Sequence, residues 1–307
     1  MLSRSLPSYI DIAQSFYGQA CDLCQEGPSI NLLRLVNLWG GALAECLLDY
    51  ETPEGAAEDC LLEIGITMDT DAWVAPALRS ASACEQDIEL GRTLSRLYLG
   101  DGLEWSLNAR NALTEVGRGI RNLAGADEAC DALMAESLRT AVRYELGAHG
   151  ICDRAIDVKI AGQRWTIADC ILGLSALAGS HQARLMGDAG IHNHASLEKA
   201  LDDLMRVMME EAIRHGVPEE VSLLHGIPAN DMQQSINAEL IRSMEPLALT
   251  VLEELHMLDR TNQAIALAKA AGRMVAVAAA GESPDIEHVV ARPLALVAMM
   301  GGFRTAV

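Results

Sequence analysis

The sequence predicts an all-α protein. We expect a compact multi-helix domain of about eleven helices, with one small β-hairpin insertion near 155–166. Three observations predict it. Apolar residues recur at helical spacing along nearly the whole chain, and Gly, Pro and N-cap residues punctuate those runs. Only one stretch alternates with the two-residue period of a strand.

The elements follow in order. Pro7 suits a first helical turn, and the run to Glu26 stops at Gly27-Pro28. A second helix is expected from Ser29 to Asp49, with Leu32, Leu35, Val36, Trp39, Leu43, Cys46 and Leu47 near one face. Thr52-Pro53 reads as a cap and a first-turn proline, opening a shorter helix to about Ile64. Pro76 interrupts the stretch from Asp69 to Ala83, and a helix follows to about Leu99. Asp101 and Glu104 resemble a capping box for a helix ending near Gly125. Asp127 caps the next, expected to end at His149-Gly150.

The alternation from Asp157 to Thr166 around Ala161-Gly162 is the hairpin, and Thr166 with Asp169 caps a helix to about Gly179 or a turn beyond. A polar connection through Asn193 follows. Ser196 to His215 is strongly amphipathic, Pro218 to His225 is short, and Asn230 to about Leu258 is long and bent at Pro246. Thr261 to Ala280 is Ala-rich, hence narrow and close-packing. Ser283-Pro284 opens a last pair of short pieces broken at Pro293. A faint self-match relates 129–143 to 200–214, but no shorter repeat recurs. We read 1–307 as a single helical domain, loosely divided into 1–150 and 151–307.

Half of the residues are hydrophobic and only 4% are aromatic, so the core must be built from Ala, Leu, Ile, Val and Met. The net charge is -20, and no region is strongly basic. Neither nucleic acid nor an anionic membrane surface is therefore an expected partner. No apolar run reaches a membrane span, and Asp11 interrupts the N-terminus before a signal-peptide core develops. The expected location is the cytoplasm. The eight cysteines are mostly single residues in helical runs and read as reduced core thiols. Cys21 and Cys24 form a lone C-x-x-C without the second pair that a zinc ribbon needs.

Three histidines precede glycine, at His149, His215 and His225. A Gly in the left-handed conformation after a last-turn His is a helix stop, so Gly150, Gly216 and Gly226 are expected at positive φ. Glu145 and Glu211 stand four residues before His149 and His215 as ordinary helical pairs. Glu253 with His256, and Asp285 with His288, have the spacing of a di-iron site, but the helix between them has no acid. Asp202-Asp203 lacks the second acidic cluster that a prenyl-diphosphate site would need.

The segment 181–194 is the best candidate for chemistry. His192 and His194, with Asp188 and His181 upstream and glycines between, offer ligands for a divalent metal such as zinc. Arg92, Arg96, Arg110, Arg118 and Arg121 form the one local basic cluster, a candidate contact for an anion or an acidic partner. Two functional expectations result. The leading one is a cytoplasmic helical protein-binding or scaffold protein, docking a protein partner or a second copy of itself. The alternative is a helical metal-dependent hydrolase or oxidoreductase using 181–194.

Overall fold

The computed structural model describes residues 8–48, 50–67, 85–99, 103–157, 159–160, 163–218, 238–280, 286 and 288–306. Within them lie eleven α-helices and two hairpins, the all-α architecture expected. The chain divides into two compact units, Met1–Arg143 and Tyr144–Val307.

In the first unit α1 spans Tyr9–Leu23, and its capping box is Ser8 with Asp11. The Gly27-Pro28 stop holds a hairpin of two-residue strands, β1 (Gln25–Glu26) and β2 (Ser29–Ile30), with Gly27 at φ 63°. Strands that short leave no legible alternation in the sequence. Next come α2 (Leu32–Leu47), capped by Asn31, and α3 (Pro53–Glu63), with its proline in the first turn. Thr52 makes no side-chain cap. Then follow α4 (Glu85–Leu99), α5 (Leu103–Leu123) and α6 (Glu128–Asp157), whose last 14 residues belong to the second unit. The buried Trp39 of α2 donates its indole N–H to the Leu113 carbonyl of α5 at 2.8 Å.

Two glycines bring α2 and α4 into near-backbone contact. A Cβ on Gly41 would meet the Ile88 carbonyl, and one on Gly91 would meet the Leu38 carbonyl. Each glycine thus fits over the carbonyl three residues before the other, a spacing that permits Cα–H···O contacts.

In the second unit β3 (Lys159–Ile160) pairs with β4 (Gln163–Arg164) in the predicted hairpin. Trp165 beside it is buried, while Val158 lies outside the described residues. The Thr166–Asp169 capping box opens α7 (Ile167–Asp188). Asn193 caps α8 (His194–Arg214), and α9 (Ala238–Glu254) contains Pro246. Asp259 caps α10 (Arg260–Ala279), and α11 (His288–Ala306) closes the series. The pairing of α7 with α11 repeats the glycine device. Gly179 lies on the Met299 carbonyl and Gly302 on the Ala176 carbonyl, and Gly272 of α10 lies on the Met208 carbonyl of α8.

Three helices outrun their expected ends. α6 continues through Gly150, which is helical, because Ile151, Cys152 and Ala155 carry its buried face onward. The missing Cβ there leaves room for Val251, whose Cγ1 would stand 3.0 Å away. α7 runs to Asp188 because Gly179 is a packing residue and His181, Ala183 and Met186 remain buried beyond it. α11 continues through Pro293, which lies one turn inside the start and forfeits a single intrahelical bond. Gly216 does stand at φ 100° after α8, as expected of a stop. The stretch 69–83, Asp101, all of 219–237 with Gly226, and Ser283-Pro284 fall outside the described residues.

Candidate functional sites

The most concentrated chemistry is a buried charge cluster in the second unit. Glu145 from α6 and Glu211 from α8 are both almost fully buried. Lys269, also buried on α10, places its Nζ 3.1 Å from Glu145 Oε1 and 3.2 Å from Glu211 Oε2. Arg273, one turn further along α10, bonds both carboxylates, as does Arg214. His215 Nε2 lies 3.0 Å from Glu211 Oε1. Burial and the neighbouring Glu145 push the Glu211 carboxyl up. Lys269, Arg214 and the His215 bond outweigh them and hold it well below the carboxylate range. Every carboxylate oxygen has a donor, which is the condition for two buried anions to be tolerated.

Glu145, Glu211 and His215 are also the only trio of potential metal ligands brought together among the described residues. Three cations already occupy those carboxylates. A divalent ion would have to displace a buried ammonium and stand beside two guanidinium groups. The arrangement is therefore an ion-pair clamp joining α6, α8 and α10. Glu145 does not pair with His149 as expected. His149 is exposed and meets Asp153 at 3.2 Å, because Glu145 is drawn into the interior by Lys269. The legible trace of this clamp is Lys269 and Arg273, four residues apart in an Ala-rich helix without acids. Cations in a helix that carries no acid of its own imply carboxylates from elsewhere.

The residues of 181–194 are arranged differently from a ligand set. His181 is buried on α7, with Nε2 3.5 Å from Glu245 Oε1 and neither ring nitrogen in a hydrogen bond. Burial lowers its pKa, against the opposing pull of Glu245. Asp188 takes a 2.7 Å bond from Arg260 Nη1. His194 begins α8 and pairs with Glu198 at 3.1 Å in open solvent. His192 lines a cleft of about 230 Å³ with Asp188, Arg184, Arg260, Ile191 and Leu197 among its walls. Glu253 and His256 do not share a helical face either, because His256 follows the end of α9 at φ 56°.

The arginine cluster is engaged within the first unit. Arg92 is fully buried, bonded to Glu89 and to the Ala141 carbonyl. Arg96 pairs with Glu45, and Arg110 with Glu63. Arg118 donates to the Glu63 carbonyl at 3.0 Å and Arg121 to the Ile64 carbonyl at 3.3 Å. These two cap the electronegative end of α3, and Arg121 also holds Asp131. The spacing of the arginines thus reflects how α4 and α5 are fastened to their neighbours.

An apolar groove of about 410 Å³ lies between α1 and α5. Tyr9, Ile10, Ala13 and Tyr17 form one wall, and Val116 and Gly119 the other, with Gln14 and Glu115 as the polar lining residues. Tyr9 is 40% exposed and Ile10 50%. The Cys24 thiol is pushed up to about 11, and those of Cys152 and Cys170 to about 12, in each case chiefly by burial. Such thiols are poor nucleophiles.

No protein-family model matches the chain, and no curated protein or solved structure matches it either. No helix among the described residues is long and apolar enough to cross a membrane.

Proposed function

We propose that the chain is a protein-binding scaffold that docks a partner through the groove between α1 and α5. The observation that carries this reading is the groove itself: two tyrosines and an isoleucine left accessible beside the buried Val116 in an otherwise well-packed unit. Aromatic side chains at an accessible groove favour protein contacts, because they offer large area at low conformational-entropy cost. The occupant we assign is an amphipathic helical segment of a partner, with an apolar face and basic flanks. A net charge of -20 favours that complement.

The test is fluorescence anisotropy with amphipathic helical peptides carrying basic flanks, against peptides of the same apolar face with acidic flanks. Gly119→Leu fills the groove, since a Cβ there meets only Tyr17 Cε2, at 3.8 Å. Saturable binding of the basic peptides, lost by at least about tenfold in Gly119→Leu with the unfolding midpoint retained, is the expected result. Equal binding by the variant, or no saturable binding at all, refutes the assignment.

A further inference from the structure

The cleft at the C-terminal end of α7 carries an inference independent of the groove, because it lies wholly in the second unit. Two arginines line it. Arg184 donates through Nη1 to Glu245 at 2.8 Å, and Arg260 through Nη1 to Asp188 at 2.7 Å. Neither makes another hydrogen bond among the described residues, so the Nε and Nη2 donors of both remain available. Of the two carboxylates only Asp188 lines the cleft. Each guanidinium is balanced by one carboxylate, so what the cleft offers an anion is the N–H donors those pairs leave unused, in a chain that is otherwise strongly acidic. His192 adds an imidazole with no hydrogen bond or ion pair of its own. Ile191 and Leu197 supply an apolar wall.

We propose that this cleft binds a small organic anion, its carboxylate or phosphate head held by Arg184 and Arg260 and its short apolar body against Ile191 and Leu197. A planar guanidinium already anchored by a carboxylate through one nitrogen is pre-oriented, so a second anion meets its remaining edge at little entropic cost. The cleft volume of about 230 Å³ limits the guest. It falls below the usual range of about 300–1,000 Å³ for drug-sized ligands. This also accounts for the cluster of polar residues in 181–194 without a metal. The segment places Arg184, Asp188 and His192 around one cavity, while His194 points to a separate exposed pair.

The experiment uses the full chain at constant ionic strength, titrated with isobutyrate, isobutyramide and inorganic phosphate by calorimetry. Isobutyrate should saturate one site and isobutyramide should not. Phosphate binding as tightly as isobutyrate assigns recognition to the charged head alone; weaker phosphate binding assigns it to a carboxylate with a body. Arg184→Gln and Arg260→Gln should each weaken binding at least about tenfold. Arg154→Gln, which breaks an exposed pair with Glu254 on the same unit, should leave it unchanged. Guanidinium Nε–H resonances of the unsubstituted protein give a reading that needs no variant: those of Arg184 and Arg260 should shift with isobutyrate. No saturable binding of either anion, equal weakening in Arg154→Gln, or unmoved Arg184 and Arg260 resonances would overturn the proposal.

Discussion

Adding one methyl group at a helix crossing should be far more damaging here than in the middle of an exposed helix. The pair α2–α4 has Gly41 and Gly91 facing each other's backbone. A Cβ on Gly41 would sit 2.7 Å from the Ile88 carbonyl carbon, and one on Gly91 would sit 2.7 Å from that of Leu38. Non-bonded carbons rest at about 3.5–4.0 Å. The carbonyl oxygens would be nearer still, so the helices must separate by more than about 1 Å, and neither neighbour is a flexible side-chain end that can swing aside. Overpacking costs about 1–3 kcal/mol when side chains can adjust. With backbone on the receiving side, Gly41→Ala and Gly91→Ala should each fall at the upper end, about 3 kcal/mol. In a protein of this size that lowers the midpoint by about 6–12 °C. Gly302→Ala, against the Ala176 carbonyl, should behave alike in the second unit.

The controls lie in the same helices or their neighbours. Gly18 of α1 and Gly187 of α7 have nothing within 4 Å of an added Cβ, and neither has a positive φ. Their alanine variants should be stabilised by about 0.4–1 kcal/mol through the unfolded chain alone. Urea unfolding followed by circular dichroism separates the two classes. The double variant Gly41→Ala/Gly91→Ala should cost less than the sum of its singles, since helices already pushed apart accept the second methyl group more easily. Gly41→Ala within about 0.5 kcal/mol of the parent protein, or strict additivity in the double variant, would refute the crossing geometry.

In the buried clamp, Glu211→Gln leaves one carboxylate facing three cations and should cost about 3–5 kcal/mol by denaturant unfolding. Lys269→Met, which leaves two carboxylates facing two guanidinium groups, should cost less; the reverse order would show that the clamp is not balanced by charge. The lowered pKa of His181 means that the unfolded chain binds its proton more readily than the folded one. Its contribution is complete above the unfolded value of about 6.5 and is lost as pH falls below that. The thermal midpoint of the parent protein should therefore drop on acidification from pH 7 toward pH 5 more than that of His181→Phe, and parallel curves would exclude His181 as the source.

Most of the helices were legible because their signals are local. The box at Thr166–Asp169 and the Gly216 stop depend on residues within four positions of one another, and the structure reproduces both; the Ser8–Asp11 box emerges only from the structure. The same symbols misled where tertiary packing claimed them. Gly150 and Gly179 look like stops, yet each is a helical residue whose missing side chain admits a neighbour. Pro293 looks like a break, but near a helix start it removes only one bond. A glycine that ends a helix and one that lets another helix approach differ in what lies across from them, which a single local window does not contain.

Charged residues posed the harder problem, because their meaning depends on burial. Spacing alone pairs Glu145 with His149, four residues on, which is sound for an exposed helix face. The residue is instead 2% exposed, and its partners come from 69, 124 and 128 residues away. The five arginines of 92–121 looked like a surface offered to an anion because like charges recurred at helical spacing. Arg92 and Arg118 have local acids at Glu89 and Glu115, but the other partners are the Ala141 carbonyl, the carbonyls at the end of α3 and acids on three other helices, Glu45, Glu63 and Asp131, which the local pattern does not display. Arg184 and Arg260 show the converse. They lie 76 positions apart in the sequence, neither belongs to a basic run, and both line one cleft only because α7 and α10 pack together. In a chain with 23 basic and 43 acidic residues, most cations find carboxylates inside the protein. Unspent donor capacity around a cavity is therefore a property of the packed helices, distinct from the local density of positive charge that the sequence displays.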